Sequence, residues 1–512
     1  MEDRLEEQVA QLAPELVPGL ALDGVGDLVG LLDGIGGDGR EVLRDVPGAA
    51  GLGVAQTAHD LEQAGHAALG VVDQIVAHAA VSLRGLALVL RHRPGGVQCG
   101  RALAERGASR FHAPEPATGE PMPVINSIAA EAETLTAWRR HLHAHPELLF
   151  DCVKTAAFVV EKLKSFGITE IHEGIAHTGV VAVIEGRAPG RTIGLRADMD
   201  ALPMEDLSGA AHASTVPGMA HACGHDGHTV MLLAAAKYLA GTRNFAGRAA
   251  LIFQPAEEGG GGGKVMVDEG IMERFDIAEV YGLHNTPGRP VGQVATAPGP
   301  LMASADEFRI EIAGRGGHGA QPQTTLDPIP AAAATAQALQ TIVSRNADPL
   351  DRLVVSVTQI HAGTADNIIP ETAWLGGTVR SFRPAVRDMA QARLTAIAEA
   401  QAAVYGCSAK VIYERGYPPL VNHAEQARFA AEVAREVVGE RNVEGDCEPI
   451  TPAEDFAYML EARPGAYMFV GQGDTPMCHH PAYDFNDAIA PVGASLLARL
   501  VERSLPLPGG GA

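Results

Sequence analysis

Residues 191–200 have the sequence RTIGLRADMD, a short apolar run that ends at the two carboxylates of Asp198 and Asp200. Three other segments have the same character, and they are TGVVAVIEG (178–186), RAALIFQPAEE (248–258) and AEVYGLHN (278–285). Apolar strand-like runs that alternate with helical patterns are typical of an α/β domain with a mostly parallel sheet. We therefore predict this architecture for residues 122–304.

A helical pattern, HTVMLLAAAKYLAG (228–241), lies between two of these strands. Asp226 is placed to cap this helix and Gly241 is placed to stop it. In residues 416–512 the alternation of helix and strand returns, and its last apolar strand is GAYMFVG (465–471), just before CHHPAYDFND. This C-terminal part therefore completes the same α/β domain.

The segment between these two parts, residues 305–415, has a different order of elements. Its strand and helix patterns are, in sequence, DEFRIEIAG, DPIPAAAATAQALQTIVSRNA, LVVSVTQIH, TAWLGGTVRSF, VRDMAQARLTAIAEAQAAVYG and SAKVIYERG. The order is β-α-β-β-α-β, which is that of a ferredoxin-like α+β unit. The sequence thus predicts a ferredoxin-like domain inserted into a larger α/β domain.

Residues 1–121 differ in composition from the rest of the chain. They contain no Lys, Asn, Tyr or Trp and a single Phe, Phe111, and they lead into the Pro-rich stretch HAPEPATGEPMP (112–123). Gly-rich breaks interrupt the few helical patches. We therefore predict that this segment is an atypical extension, disordered or artificial, and that it is not a functional domain.

The overall composition limits the classes of function. The 512 residues, 46% of them hydrophobic, are enough for a large core, and the formal net charge of -23 opposes the phosphate backbone of nucleic acids. No apolar run reaches the length of about 18 residues that a membrane span needs. Six cysteines in so long a chain do not have the density of a disulfide scaffold. We expect a cytoplasmic protein with reduced thiols and with neither nucleic acid nor membrane as a partner.

Residues 221–228, HACGHDGH, contain three histidines, a cysteine and an aspartate. Alone, this cluster fits a metal site, a reactive thiol with a nearby base, or a polar turn. Other candidate ligands follow separate strands, and they are Asp198, Asp200, Glu257, Glu258, His284, His479 and His480. Because ligands gather outside the carboxyl ends of the strands in an open α/β sheet, we expect one convergent site.

Carboxylates, imidazoles and a thiolate together exceed what one closed tetrahedral zinc site needs. This set therefore indicates a pair of divalent transition metals. Such a pair, about 3.5 to 4 Å apart, lowers the pKa of a bridging water toward about 7 and polarises a carbonyl group. A spare carboxylate beside the metals would accept the proton of the water, so the sequence predicts a hydrolytic centre.

Several spaced motifs from Met122 to about residue 505 resemble those of one family. They are WRRHLHAHPEL, RADMDALPMED, HACGHDGHTVMLL, FQPAEEGGGG, YGLHN, GGHGAQPQTTLDPI, GTADNIIP, GTVRSF and HHPAYDFND. In this order they are similar to the motifs of the aminoacylase and carboxypeptidase clan of metallopeptidases. They are most similar to its amidohydrolase branch, which contains hippurate hydrolase and the auxin-conjugate hydrolases.

The resemblance implies roles for individual residues of the two-part α/β domain, which would be the catalytic domain. The implied metal ligands are Cys223, His225, Glu258, His284 and His479. Glu257 would be the general base that activates water, and Asp200 would orient the site. The ligands would bind two divalent ions, which could be Zn, Mn, Co or Ni.

The resemblance also implies that the ferredoxin-like domain is a lid and dimerisation domain. Within it, His318, Asn367 and Arg380 match substrate-contacting positions, and His318 would steady the tetrahedral oxyanion. The chain would form a homodimer or homotetramer through this domain. Two positions depart from the family pattern: Gln323 stands where a second histidine is usual, and Ala453 stands where a small hydroxyl residue or glycine is commoner.

Some neighbouring residues have a simpler interpretation than ligation. We exclude the HAHPE stretch that ends at Glu147, because it lies at a helix end far from the strand-end motifs. His479 is favoured over His480, because a proline two residues after His479 matches the family pattern, and Cys478 is excluded. Asp198 is either a ligand or a support for one.

The leading function is therefore metal-dependent hydrolysis of the amide bond in an N-acyl amino acid, which gives a carboxylic acid and a free amino acid. A dipeptidase or an N-acetyl-amino-acid deacetylase is the alternative on the same machinery. A non-catalytic binding protein could keep the fold, but the base and the full ligand set oppose this interpretation. The acyl group is left open, because side chains of the pocket select it and motifs do not.

Overall fold

A large, mostly parallel β-sheet lies at the centre of residues 123–509, the part of the chain that the computed structural model of the protein describes. The sheet and the helices around it make a mixed α/β fold, as the sequence predicts. The extension predicted for residues 1–121 lies outside the described residues. Among those described, no helix combines the length and the apolar character needed to cross a membrane.

The strands are β1 (Glu170–Ile175), β2 (Gly179–Glu185), β3 (Ala188–Asp198), β4 (Ala246–Gln254), β5 (Ile277–Pro287), β6 (Val294–Ala295), β7 (Gly299–Met302), β8 (Asp306–Ala313), β9 (Gly317–His318), β10 (Leu353–Ala362), β11 (Ile368–Ile369), β12 (Thr372–Ser381), β13 (Ser408–Arg415), β14 (Leu420–Asn422), β15 (Val443–Glu444) and β16 (Gly465–Gly473). The α-helices are α1 (Asn126–Ala129), α2 (Ala132–His143), α3 (Val153–Ser165), α4 (His225–Thr242), α5 (Gly262–Asp268), α6 (Ile271–Arg274), α7 (Pro328–Leu339), α8 (Pro384–Val404), α9 (Ala424–Val438), α10 (Phe456–Ala462) and α11 (Ala490–Ser504).

The strands of the large sheet lie in the order β1-β2-β4-β3-β5-β16-β6-β15. The four central strands, β4, β3, β5 and β16, run parallel to one another, and β2 and β1 extend them antiparallel on one side. Strands buried on both faces need uninterrupted apolar runs, such as AALIF in β4. Because the central strands are parallel, their carboxyl ends meet at one rim of the sheet.

Helices cover both faces of this sheet. On one face α2, α4 and α11 pack together and bury Leu135, Leu232 and Leu497. The other face buries Met266 of α5 and Phe456 of α10. Complete burial of one such side chain contributes about 1.5 to 3 kcal/mol, so these two cores hold the strands and their rim in place.

A second sheet contains four antiparallel strands in the order β10-β12-β8-β13. Its elements follow one another as β8-α7-β10-β12-α8-β13, which is the β-α-β-β-α-β order expected from the sequence. α7 and α8 pack on one face of this sheet, where Leu339 and Leu394 are buried. β10 is an edge strand, and Val354 and Ile360 on it are exposed.

The boundaries predicted for the helix after HACGHDGH are wrong. α4 begins at His225 with Gly224 as its N-cap, so Asp226 lies inside the first turn, and the helix continues one residue past Gly241. The carboxylate of Asp226 lies instead 2.8 Å from Nδ1 of His143 on α2. Asp226 therefore contacts a residue of another helix, although local capping preference predicts that it caps α4.

Candidate metal centre

A tight turn after β4 carries the adjacent glutamates Glu257 and Glu258. Ala256, directly before them, has a left-handed backbone with a φ of 58°, which turns the chain sharply. Gly262, near the end of the turn, must be a glycine, because a Cβ at this position would lie 1.7 Å from the carbonyl oxygen of Pro255. The backbone of this turn, which we call the base turn (residues 255–263), therefore has little freedom.

The carboxylate of Asp200 holds the base turn. Its two oxygens accept the backbone N–H groups of Glu257, at 3.0 Å, and of Glu258, at 3.1 Å. One of these oxygens also lies 3.4 Å from Nδ1 of His225. Asp200 itself follows the end of β3 by two residues and is buried. One side chain thus contacts the backbone of two glutamates and one imidazole, and its orienting role stays a prediction.

The HACGHDGH stretch brings Cys223 and His225 to the same rim, at the start of α4. Gly224 between them has a φ of 98°, and a Cβ there would lie 2.2 Å from Oδ1 of Asn285. Only glycine permits this approach. Nε2 of His225 lies 3.8 Å from Oε1 of Glu258, so the stretch faces the base turn directly.

His284 lies inside β5, three residues before the strand ends, whereas the sequence suggests that it ends the strand. Its Nδ1 donates to the carbonyl oxygen of Asn285 at 2.6 Å, and its Nε2 lies 3.4 Å from Sγ of Cys223. Burial, together with the neighbouring His228, lowers the pKa of His284 to about 3. The ring is therefore neutral, with the lone pair of Nε2 directed at the cluster, which is the form that binds a metal.

His479 lies in the loop after β16, with a left-handed backbone of φ 66°. The backbone N–H of His479 donates to the carbonyl oxygen of Ala222 at 2.7 Å, and this hydrogen bond joins the loop to the HACGHDGH stretch. Its Nε2 lies 3.4 Å from Oε1 of Glu258. Of its two neighbours, Cys478 directs its thiol at the carbonyl oxygen of Cys223, at 3.8 Å, and His480 is exposed.

Three of the groups of candidate ligand atoms among residues 123–509 are built from the five predicted ligands and Glu257. The atoms of each group lie within 4.8 Å of one another, and the groups are Cys223 with His225 and His284, Cys223 with Glu258 and His479, and His225 with Glu257 and Glu258. Both ring nitrogens of His225 and Oε1 of Glu258 are buried without a hydrogen-bond partner among residues 123–509. Bound cations would satisfy Oε1 of Glu258 and one ring nitrogen of His225, whose other ring nitrogen faces Asp200, so the donor set fits two divalent ions.

The electrostatics of the site also favour cations. Burial lowers the pKa of His225, but three neighbouring carboxylates outweigh burial and raise it well above its ordinary value. A hydrogen bond with Cys478, together with burial and Glu258, raises the pKa of the Cys223 thiol. Burial and neighbouring carboxylates raise the pKa of Glu257. Neighbouring carboxylates contribute to all three shifts, and divalent ions would neutralise these carboxylates.

Asp198, for which the sequence leaves two roles open, has partners on both oxygens. Oδ1 lies 2.6 Å from Nδ1 of His228, and Oδ2 accepts a hydrogen bond of 2.7 Å from Arg196. Nε2 of His228 lies 2.8 Å from Oδ1 of Asn285. These bonds fix the histidine ring and the buried arginine behind the cluster, but ligand atoms of Asp198, His225 and His228 also lie within 4.8 Å of one another, so both roles stay open.

The HAHPE stretch, which was excluded from the site as far from the strand-end motifs, lies closer to it than predicted at His143. Its Nδ1 contacts Asp226, which adjoins a candidate ligand in sequence. Arg139, also on α2, lies 3.6 Å from Asp226 and hydrogen bonds to Asp484 and Asp487. The two residues are four apart and so share one helix face, which is the signal that would have identified them.

Two further carboxylates, Glu454 and Asp455, lie close to Glu257, and all three offer oxygens within 4.8 Å of one another. Asp455 accepts hydrogen bonds from Arg196, at 3.0 Å, and from the N–H of Gly263, at 2.7 Å. Burial raises the pKa of Asp455 to about 7. The TPAEDF stretch thus supports the base turn from its far end, a contact that sequence spacing does not indicate.

The three predicted substrate-binding residues lie in and beside the smaller sheet. His318 is exposed on β9 and is paired with Ile368 of β11. The backbone carbonyl oxygen of Asn367 accepts the N–H of Gly319 at 2.8 Å. Arg380 is half-buried on β12. Within residues 123–509, no hydrogen bond or ion pair joins any of the three to the ligand cluster.

The parallel sheet, the convergent donors at its rim and the carboxylate beside them define a metal-dependent hydrolase. The profile of peptidase family M20/M25/M40 matches residues 194–503. The chain belongs to this family.

Relatives of known activity agree with this assignment. The chain is 41% identical to "Hippurate hydrolase" of Campylobacter jejuni over 384 residues, which cover 75% of this chain and 99% of the relative. It is also 41% identical to "N-acetyl-L-cysteine deacetylase" of Bacillus subtilis over 366 residues, 70% of this chain and 86% of the relative. The crystal structure of a Bacillus subtilis protein described as a dinuclear metal binding peptidase from the M20 family is similar, with a TM-score of 0.65, 34% identity, and coverage of 74% of this chain and 99% of the other.

Proposed function

We propose that the protein is a binuclear amidohydrolase that cleaves N-acyl amino acids to a carboxylic acid and a free amino acid. The observation that carries the proposal is the position of Glu257, which offers an oxygen within 4.8 Å of ligand atoms of His225 and Glu258. A carboxylate so placed is within reach of a water molecule held at the cluster. The identity to hippurate hydrolase supports the N-acyl amino acid as the substrate.

The proposed metal ligands are Cys223, His225, Glu258, His284 and His479, and three of them, Cys223, His225 and Glu258, each belong to more than one of the ligand groups. Divalent ions in this site would lower the pKa of water and polarise the amide carbonyl. Their identity among Zn, Mn, Co and Ni stays open.

Glu257 is the proposed general base. It is 7% exposed, and its backbone is fixed through Asp200, so its carboxylate is held in place. It accepts the proton of the attacking water and returns it to the nitrogen of the departing amino acid. Glu258 differs, because its Oε1 faces His479 and it lies in the group with Cys223.

Residues 305–415 are the proposed lid and dimerisation domain, between the catalytic parts 122–304 and 416–512. His318, Asn367 and Arg380 are proposed to contact the substrate. Support comes from Nη1 of Arg380, which is buried without a hydrogen-bond partner among the described residues and so suits a substrate carboxylate.

The edge strand β10 supports a second copy of the chain as the partner. An edge strand presents unpaired backbone groups that can extend the sheet across a two-fold axis. Val354 and Ile360 on β10 are 39% and 54% exposed, and a second copy paired along this edge would cover both side chains. We therefore propose a homodimer through β10, with a homotetramer as the larger alternative.

The deacetylase alternative is favoured by the equal identity to N-acetyl-L-cysteine deacetylase. A screen of N-benzoyl, N-acetyl and indole-acetyl amino acids with the metal-loaded protein separates the candidates by their kcat/KM, and dipeptides test the remaining alternative. Treatment with a chelator should abolish turnover, and readdition of Mn, Co, Ni or Zn should restore it. Turnover that survives complete metal removal would contradict the proposal.

A further inference from the structure

Tyr417 connects the base turn to the smaller sheet. Its hydroxyl donates to the carbonyl oxygen of Glu257 at 2.5 Å and accepts the N–H of Gly261 at 3.1 Å. The hydroxyl group therefore makes two hydrogen bonds to the backbone of the base turn, one as a donor and one as an acceptor. We propose that Tyr417 is a positioning residue that sets the location of the general base, an inference that rests on the role of Glu257 given above.

The backbone of Tyr417 belongs to the connection between the two sheets. It follows the end of β13 by two residues, and its carbonyl oxygen accepts the N–H of Ala305, the residue directly before β8. The two chain segments that enter and leave the four-stranded sheet thus meet at this residue. Any rotation of that sheet moves Tyr417 and, through its hydroxyl, the backbone of Glu257.

The preceding residue anchors this connection to the smaller sheet. The carbonyl oxygen of Gly416 accepts a hydrogen bond of 2.9 Å from Arg387 on α8. A Cβ at Gly416 would lie 2.4 Å from the carbonyl oxygen of Ala305, so the two segments approach too closely for a larger residue. Tyr417 is thus held rigidly on one side and holds the base turn on the other.

The hydroxyl of Tyr417 stays protonated over the working range of an enzyme. Burial, together with the carboxylates of Asp455 and Glu257, raises its pKa well above the ordinary value. The donor to Glu257 is therefore permanent, which suits a role in position and not in proton transfer.

Tyr458 provides a matched control. Its ring centroid lies 6.1 Å from that of Tyr417, and its hydroxyl donates to the carbonyl oxygen of Gly416 at 3.3 Å. Tyr458 lies on α10 and contacts the same connection, but its hydrogen bond does not reach the base turn. A change of either tyrosine to phenylalanine removes one phenol hydroxyl, but only the hydroxyl of Tyr417 contacts Glu257.

The test compares Tyr417→Phe and Tyr458→Phe in the full chain with both metals loaded. Tyr417→Phe should lower kcat by about 10- to 100-fold, because a small displacement of the base is costly, with KM, metal content and Tm little changed. Tyr458→Phe should leave kcat within about twofold of the wild type. In a Glu257→Gln background, Tyr417→Phe should cause no further loss, since no base remains to be positioned.

Other outcomes would contradict either the positioning role of Tyr417 or the proposed function. Equal kcat for the two variants, loss of metal by Tyr417→Phe, or an equal loss with and without the Glu257 carboxylate would overturn the positioning role alone. A wild-type chain without metal-dependent turnover would overturn the proposed function, and the role of Tyr417 with it.

Discussion

The carboxylate of Asp200 accepts the backbone N–H of Glu257 at 3.0 Å. Asp200 therefore contacts the backbone of the proposed base and leaves the carboxylate of the base available for chemistry. The same side chain also holds the next residue and approaches a candidate ligand, so one change should disturb several parts of the site at once.

Asp200→Asn should reduce metal affinity by about 10- to 100-fold. An amide offers one oxygen acceptor, and its NH2 group would then face one of the two backbone N–H groups that the carboxylate accepts. Metal titration by calorimetry measures the effect. Asp206→Asn is the matched control, because Asp206 also accepts two backbone N–H groups, those of Ser208 and Ser214. Equal loss of affinity in both variants would show that general loop stability is responsible.

Glu257 and Glu258 should respond differently to the same substitution. Glu257→Gln should retain both metals and substrate binding but lower kcat by about 10²- to 10⁴-fold, because the proton acceptor is lost. Glu258→Gln should lower the affinity for one metal, and excess metal should partly restore turnover. Elemental analysis and kinetics under increasing metal provide the readout. A nearly active Glu257→Gln protein with its metals in place would mean that the base is another carboxylate.

His143 should stabilise the protein in a way that depends on pH. Burial lowers its pKa, but the hydrogen bond and the charge of Asp226 outweigh burial and raise the pKa above the ordinary 6.5. The stabilisation is therefore complete below about pH 6.5 and is lost as pH rises through the higher pKa of the folded state.

His143→Gln should accordingly destabilise the metal-free protein by about 2 kcal/mol at pH 6 and by less at pH 9. Denaturant unfolding at the two pH values measures the difference. His145→Gln, which changes an exposed histidine at the end of the same helix, should have little effect at either pH. A larger cost at pH 9 than at pH 6 for His143→Gln would contradict the assigned direction of the pKa.

Ile360→Asp should weaken the proposed dimer by at least about tenfold in Kd, because it places a charge on the edge strand that the second copy would cover. Light scattering over a dilution series measures the change. Val404→Asp is the control, since Val404 is 75% exposed but lies at the end of α8, which packs toward the opposite edge at β13. A dimer that withstands Ile360→Asp would place the interface elsewhere.

The central strands were predictable because burial on both faces demands continuous apolar runs, and β3, β4 and β5 lie where those runs occur. The convergence of the candidate ligands also follows from sequence, since parallel strands deliver their carboxyl ends to one rim. The structure brings Cys223, His225, Glu258, His284 and His479 together there. Their individual roles stay predictions.

Contacts between distant segments were not predictable. Asp226 was assigned to the helix cap, because local rules cannot identify His143 as a competing partner 83 positions away. The hydroxyl of Tyr417 reaches a carbonyl group 160 positions away, and no spacing rule contains that relation. His318, Asn367 and Arg380 were identified by resemblance alone, and the described contacts do not link them to the cluster.

The position of β16 in the large sheet has a consequence for how the protein is made. This strand pairs with β5, although the whole of residues 305–415 lies between them in the chain. During synthesis, the whole insertion is therefore made before β16 is available to pair with β5. We expect folding to be slow, because the unpaired backbone groups at the edge of β5 stay exposed until residues 465–473 have been made.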